Sequence, residues 1–222
     1  MKIIEPSFEL LRPSTFFDGL TQLQFIEKMA RISHRSEDAQ TPDSWERFIK
    51  AVVLEHGDWS VVEHSSATVI FRVDRGVTHE LVRHRLFSFT QESTRFVNGA
   101  KKYRSGLEFI APAEFKDDYD YTARCEMVYE YTEEHYRQLL KRGVRPQEAR
   151  SILPNALAAT IAVTGNFRNW RHMLLMRTSK ETHPDFKAVT VPLLYTFKQR
   201  VPLLFDDIAP LARQADNMRL PR

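Results

Sequence analysis

Cysteine is almost absent: Cys125 stands alone, which excludes an intrachain disulfide and any cysteine metal centre. Glycine is scarce too, with seven in 222 residues, and no Gly-x-Gly-x-x-Gly or Walker loop occurs. A glycine-built nucleotide fold of the Rossmann or P-loop kind is therefore not expected. No run is long and apolar enough to span a bilayer, and the start, MKIIEPSFELLRPS, lacks a signal core. No membrane is expected, and a cytoplasmic protein is the default. No repeat, low-complexity tract or Gly/Ser-rich linker appears. The charge excess is only +3, too small to imply nucleic acid by itself.

What is present is a 42% hydrophobic chain, enough for a core. It reads as one domain over residues 1–222 of the α+β class, a small sheet flanked by long helices. The pattern predicts a helix over 15–33 with Ser14 as N-cap. A second covers 42–56, with Trp45, Phe48, Ile49, Val52 and Val53 on one face and Gly57 as the stop. Residues 66–74 change to period two: Ala67, Val69, Phe71 and Val73 point one way, and Thr68, Ile70, Arg72 and Asp74 the other. Gly76 is read as a turn and Thr78 as the cap of a short helix running into Arg83. Residues 86–95 are too mixed to assign. A short strand is expected at 107–111, a helix at 118–141, and a short helix from Pro146 that ends before Pro154. Residues 158–164 suit a buried strand, with a helix as the alternative, followed by a helix from Asn166 to Arg177 and a last helix from Pro184 to about 204.

The richest stretch is Arg83-His84-Arg85-Leu86-Phe87-Ser88-Phe89-Thr90-Gln91-Glu92-Ser93-Thr94-Arg95. Guanidinium forks match phosphate and carboxylate geometry, so forks converging with hydroxyls and an imidazole suit a phosphorylated planar ligand. The bland alternative is a solvated cationic helix end. The apolar neighbours Leu81, Val82, Leu86, Phe87 and Phe89 weigh against it, because buried arginines need anionic partners. His79-Glu80 with His84 does not make a zinc site, since a five-residue spacing turns the rings about 140° apart. Ser93 has His84 nearby as a base, but no Gly-x-Ser-x-Gly elbow, and oxyanion binding is the favoured role. A second basic group, Asn166, Arg168, Arg171, His172 and Arg177, follows a helical period, with Phe167, Trp170 and Leu174 as its core side. Alone it would read as a surface helix, and so would Arg150.

Together these segments resemble the flavin-dependent thymidylate synthases (the ThyX family), over roughly residues 27–205. The matches are Ala30-Arg31-Ile32-Ser33, Glu63-His64, the stretch from Arg83 to Arg95 with Ser88 and Ser93, Glu148-Ala149-Arg150 before Leu153-Pro154, and Asn166-Phe167-Arg168 leading to Arg177. The resemblance implies a ThyX-like fold and FAD held by Ser60, Arg83, His84, Arg85, Gln91, Asn166, Arg168 and His172. It implies dUMP held by Glu80, Arg83, Gln91, Ser93, Thr94, Arg95, Arg150 and Arg177. Arg177 and Ser93 are the catalytic candidates. Glu80 stands where glutamine can occur, Thr90 where asparagine is common, Gln91 where an acidic residue can occur and His172 where asparagine can occur. NADPH and methylenetetrahydrofolate are implied as co-substrates, with sites shared between subunits of a homotetramer and no nucleic acid as partner. A basic single-stranded nucleic-acid-binding module is the rival reading, and a structural oligomerisation domain a weaker one.

Overall fold

The computed structural model describes residues 1–11, 21–95, 106–115 and 117–210. Helices and two small sheets make up these residues, the α+β arrangement expected. The elements are β1 Lys2–Ile4, β2 Ser7–Leu11, α1 Gln22–Arg31, α2 Ser44–Ile49, β3 Ser66–Asp74, α3 Arg75–Leu81, β4 Ser88–Gln91 and β5 Glu108–Ile110. After them come α4 Tyr119–Lys141, α5 Pro146–Ala149, β6 Ala158–Asn166, α6 Phe167–Arg177 and α7 Pro184–Arg200. β1 pairs in parallel with β5, and a second sheet has the order β2-β3-β6-β4. The chain divides into two compact units, each made of two segments: Met1–Glu9 with Val69–Val163, and Leu10–Thr68 with Thr164–Arg222.

In the first unit, Leu107, Phe109, Tyr129, Tyr136, Ala149 and Leu157 form the core. The Phe109 and Tyr129 rings stack at 4.5 Å, which adds to the area they bury. The predicted alternation of β3 holds: Val69, Phe71 and Val73 are fully buried while Ile70 and Arg72 are partly exposed. In the second unit, Phe167, Trp170, Phe197 and Phe205 form an aromatic core, with Trp170 Nε1 donating to the Ala67 carbonyl at 3.0 Å. Burial of the indole therefore leaves no unpaired donor.

Several boundaries differ from the sequence reading. α1 runs from Gln22 to Arg31, and residues 15–20 of the expected helix lie outside the described residues. Its cap is Thr21, whose hydroxyl accepts from Gln24 N while Gln24 Oε1 accepts from Thr21 N, a reciprocal capping box. Ser14 lies outside the described residues. The expected helix 42–56 is present as Ser44–Ile49 continued by a π-helical segment Lys50–Glu55, with Ile49 and Val53 both fully buried. α3 is capped by Asp74, not Thr78: Asp74 Oδ1 accepts from Val77 N at 2.9 Å. Gly76 lies inside that helix and makes no turn. A Cβ there would stand 2.8 Å from Asp74 Oδ1, so the residue's small size protects the cap. α7 stops at Arg200, short of 204, where Val201 leaves helical geometry. β1, β2 and β4 were not foreseen.

Candidate active site

Two clusters carry the predicted site residues, one in each unit. The first begins where α3 ends. Arg83 N, His84 N and Phe87 N donate to the carbonyls of Glu80, Leu81 and His84, turning the chain sharply after buried Leu81. Arg83 and Arg85 are exposed, while His84 is half-buried with its ring edge-on to Phe87 at 6.3 Å. The apolar neighbours do not bury the arginines, as their sequence context had suggested. Val82 is itself exposed, and Leu86 is 79% exposed. Both forks thus remain presented at the surface.

β4 then carries Gln91, whose Nε2 donates to Thr78 Oγ1 at 3.0 Å, while Thr78 Oγ1 donates to the Arg75 carbonyl at 2.9 Å. The hydroxyl expected to cap a helix therefore orients a proposed ligand residue. Beyond Gln91 the chain forms a small turn. Ser93 Oγ accepts from Arg95 N at 3.2 Å, a serine turn that closes Ser93–Arg95. Arg95 Nε donates to Gln147 Oε1 and Arg150 Nη1 to Thr94 Oγ1, both at 3.2 Å. Ser93, Thr94, Arg95 and Arg150, fifty residues apart in sequence, are thereby brought together. The neighbouring carboxylate Glu148 is committed elsewhere. Hydrogen bonds from Arg145 hold it below the usual carboxylate range. Two guanidinium groups and two hydroxyls, the donor types that suit a phosphate, thus lie close together at this turn.

A cavity of about 30 Å³ lies against this turn, lined by Ser93 and Thr94 together with Arg72 and Glu92. It has room for a water molecule, not a nucleotide.

The second cluster sits on α6. Asn166 Oδ1 caps the helix by accepting from Asn169 N at 2.8 Å, as expected, which leaves the amide nitrogen's donors for other use. Arg168 Nη1 donates to Glu63 Oε1 at 2.6 Å. Glu63 belongs to the 3-10 segment Trp59–His64, which also carries exposed Ser60 and packs on α6. Ser60, Asn166 and Arg168 therefore lie on neighbouring elements of one unit. His172, one turn beyond Arg168, is exposed. Arg177 ends the helix, about 13 Å along the axis from Arg168. Its guanidinium lies 5.3 Å from the Phe186 ring centroid, and its carbonyl accepts from Thr190 Oγ1 at 2.7 Å.

Arg171, grouped by spacing with Arg168 and His172, does something else. Its fork grips Asp207, its Nη1 also donates to the Leu204 carbonyl at 2.7 Å, and its guanidinium lies 4.4 Å over Trp59. Asp207, hydrogen-bonded by Arg171, is held below the usual aspartate range despite partial burial. A cleft of about 460 Å³ opens beside this pair, lined by Leu54, Trp59, Arg171, Leu203, Asp206 and Asp207, none of them a predicted site residue. Among the described residues, no three His, Cys, Asp or Glu side chains gather as a metal centre requires.

Sequence reading missed Thr78, Gln147 and Arg72. Arg72 left a trace as a cation on the polar phase of a strand, and Thr78 as an expected helix cap.

These features define a class: an α+β protein with two arginine-rich clusters and no glycine-built nucleotide loop in its sequence. The chain belongs to the family described as thymidylate synthase complementing protein, whose profile matches residues 19–203. It is 37% identical over 171 residues to the flavin-dependent thymidylate synthase of Corynebacterium efficiens, covering 70% of this chain and 66% of that one. It is 33% identical over 198 residues to the enzyme so named in Saccharolobus solfataricus, covering 87% and 74%. The chain thus spans about two thirds of the length of the Corynebacterium relative. A similar fold occurs in the UMP/dUMP methylase PolB of Streptomyces cacaoi, solved with 5-Br dUMP, at a TM-score of 0.76 and 24% identity over 96% of this chain and 99% of that one.

Proposed function

We propose that this chain is a flavin-dependent thymidylate synthase. It would methylate dUMP reductively to dTMP, with FAD as cofactor and methylenetetrahydrofolate and NADPH as co-substrates. The observation that carries this is the convergence of Ser93, Thr94, Arg95 and Arg150 in one turn. In the proposal these groups take the dUMP phosphate, the hydroxyls donating and the forks neutralising charge. Gln91, oriented by Thr78, would face the nucleoside, and Glu80 and Arg83 would contact it too.

The donor set also suits a flavin dinucleotide. Arg83 and Arg85 present exposed forks, His84 and His172 imidazoles, Ser60 a hydroxyl and Asn166 amide donors. Arg168 would exchange its exposed bond to Glu63 for a ligand phosphate. When bound, FAD supplies the redox chemistry that side chains lack. The protein's own part is orientation and charge stabilisation. Arg177 would face the uracil ring and favour the N3-deprotonated form, which makes C5 a better nucleophile. Ser93 would bind; no side chain in this scheme forms a covalent bond to the substrate.

The cavity beside the turn is too small for dUMP, so the reading includes a homotetramer whose neighbours complete each site. Tyr119, Met127, Val128 and Tyr131 on α4 are well exposed, an apolar surface of the kind that subunits cover. Among the described residues no helix is long and apolar enough to cross a membrane, and the reading keeps the cytoplasmic location.

The test is a flavin absorption spectrum of the purified protein, followed by an assay of dTMP formation with all four small molecules. Absence of both FAD binding at micromolar concentration and dTMP formation overturns the proposal. Salt-sensitive binding of single-stranded DNA in their place would favour the nucleic-acid reading.

A further inference from the structure

We infer that Arg72 is a positioning residue for the nucleotide turn and acts through Glu92. The inference rests on the dUMP reading above and adds a residue outside the predicted site. Arg72 lies on β3 between Phe71 and Val73, both fully buried, so its side chain leaves by the opposite face. There its fork is filled. Nη1 donates to Glu92 Oε2 at 2.8 Å and to Thr160 Oγ1 at 2.9 Å, and Nη2 donates to Glu108 Oε2 at 2.5 Å. Glu92 Oε2 also accepts from Thr160 N at 3.3 Å, and Glu92 N donates to the Thr160 carbonyl at 2.8 Å.

Glu92 is thus tied to β3 and β6 by side chain and backbone, and the residue after it is Ser93. Two further ties of the turn, Arg95 to Gln147 and Arg150 to Thr94, lie at the exposed surface, where polar contacts contribute little. The Arg72–Glu92 pair is the less exposed anchor, with side chains 19% and 16% accessible. Pairs sheltered in this way are screened less and hold geometry better.

Both terminal nitrogens of Arg72 are engaged by carboxylates, so its inferred role is to hold Glu92 rather than to bind the phosphate. Its loss matters through charge. Glu92 and Glu108 converge on one guanidinium. Without it, two like charges face each other across a partly buried space. Glu92 is then pushed off Thr160, and Ser93–Arg95 loses its register with Arg150.

The experiment compares FAD-loaded wild type with Arg72→Met, Glu92→Gln and the double variant. Calorimetry gives dUMP affinity, and steady-state assays give KM for dUMP and kcat. Flavin content and NADPH-driven flavin reduction report on the rest of the molecule. Arg72→Met is expected to raise Kd and KM for dUMP roughly tenfold or more, the scale of one charge-assisted hydrogen bond to the ligand. It is expected to leave kcat at saturating dUMP and flavin reduction within about threefold. Adding Glu92→Gln removes the unpaired charge and is expected to recover much of the affinity, a non-additive result. A general loss of structure would lower flavin content and would not be rescued. Wild-type dUMP affinity in a folded, flavin-loaded Arg72→Met overturns the inference. Should that variant not fold, Arg72→Gln also removes the charge while keeping a polar side chain there, and unchanged dUMP affinity in it overturns the inference equally. If wild type binds FAD yet no dUMP, the dUMP reading fails and this inference with it.

Discussion

At the scale of single residues, Arg177 and Asp207 give the sharpest expectations. Arg177→Ala removes the proposed charge beside the uracil ring. An interaction made mainly in the transition state is worth a few kcal/mol, so dTMP formation is expected to fall roughly a hundredfold or more. Flavin content and NADPH-driven reduction are expected to persist, which stopped-flow spectroscopy of the two half-reactions checks. Arg177→Lys restores charge without the planar fork and is expected to fall between. Asp207 is a stability matter. Its carboxyl is held low by Arg171, so the folded state favours the ionised form. That contribution is complete above the ordinary aspartate value near pH 4, and is lost as pH falls through the lower folded value. Asp207→Asn is therefore expected to lower the melting temperature at neutral pH and to shrink the gap from wild type as pH approaches 3. Scanning calorimetry from pH 7 to 3 reads it, and a gap that widens on acidification contradicts the assignment. The grouping of Ser93, Thr94, Arg95 and Arg150 was legible at this scale through the family resemblance, and the four residues do meet. Arg72 was not. A cation on the polar phase of a strand reads as solvent-facing until its carboxylate partners, 20 and 36 residues on, are seen.

At the scale of elements, legibility followed length and capping chemistry. α4 and α6 were readable because Asp118 and Asn166 cap them and apolar residues recur at the helical period. β4, with four residues, and β1, with three, are too short for a period to register. The start of α1 was misplaced because Ser14 and Thr21 are both acceptable caps in sequence. Only Thr21 has Gln24 at the third helical position to close the box. Thr21→Ala is expected to cost about 1 kcal/mol, the usual worth of such a cap, as a shift in the urea midpoint with unchanged slope. Gly76→Ala crowds Asp74 Oδ1 at 2.8 Å and is expected to weaken the cap of α3. Because α3 feeds Arg83–Arg85, that variant is also expected to lower flavin affinity in a titration. An unchanged affinity would mean the arginine turn is held without the cap.

At the scale of the whole molecule, the chain divides into two compact units. Each unit carries its own share of the predicted ligand residues, the Ser93–Arg95 turn in one and Asn166–Arg177 in the other. The proposed homotetramer turns this into a complementation experiment. Arg95→Ala and Arg177→Ala are each expected to be nearly inactive, whereas unfolding and refolding them together is expected to return activity if sites draw on different subunits. Sedimentation of the flavin-bound protein as an active monomer would rule that arrangement out. The interleaving also bears on synthesis. The second unit consists of residues 10–68 and 164–222, so about 95 residues of the first unit are translated between its halves. At about 5–20 residues per second, the ribosome leaves the early half waiting some 5–20 s. During that pause α1 can dock on Trp59–His64, but Trp170 and Phe197 do not yet exist to close the aromatic core over Ala67. Stalled nascent chains ending before residue 164 should therefore be cut readily within residues 44–64 by added protease, and become resistant only once α7 has emerged from the exit tunnel.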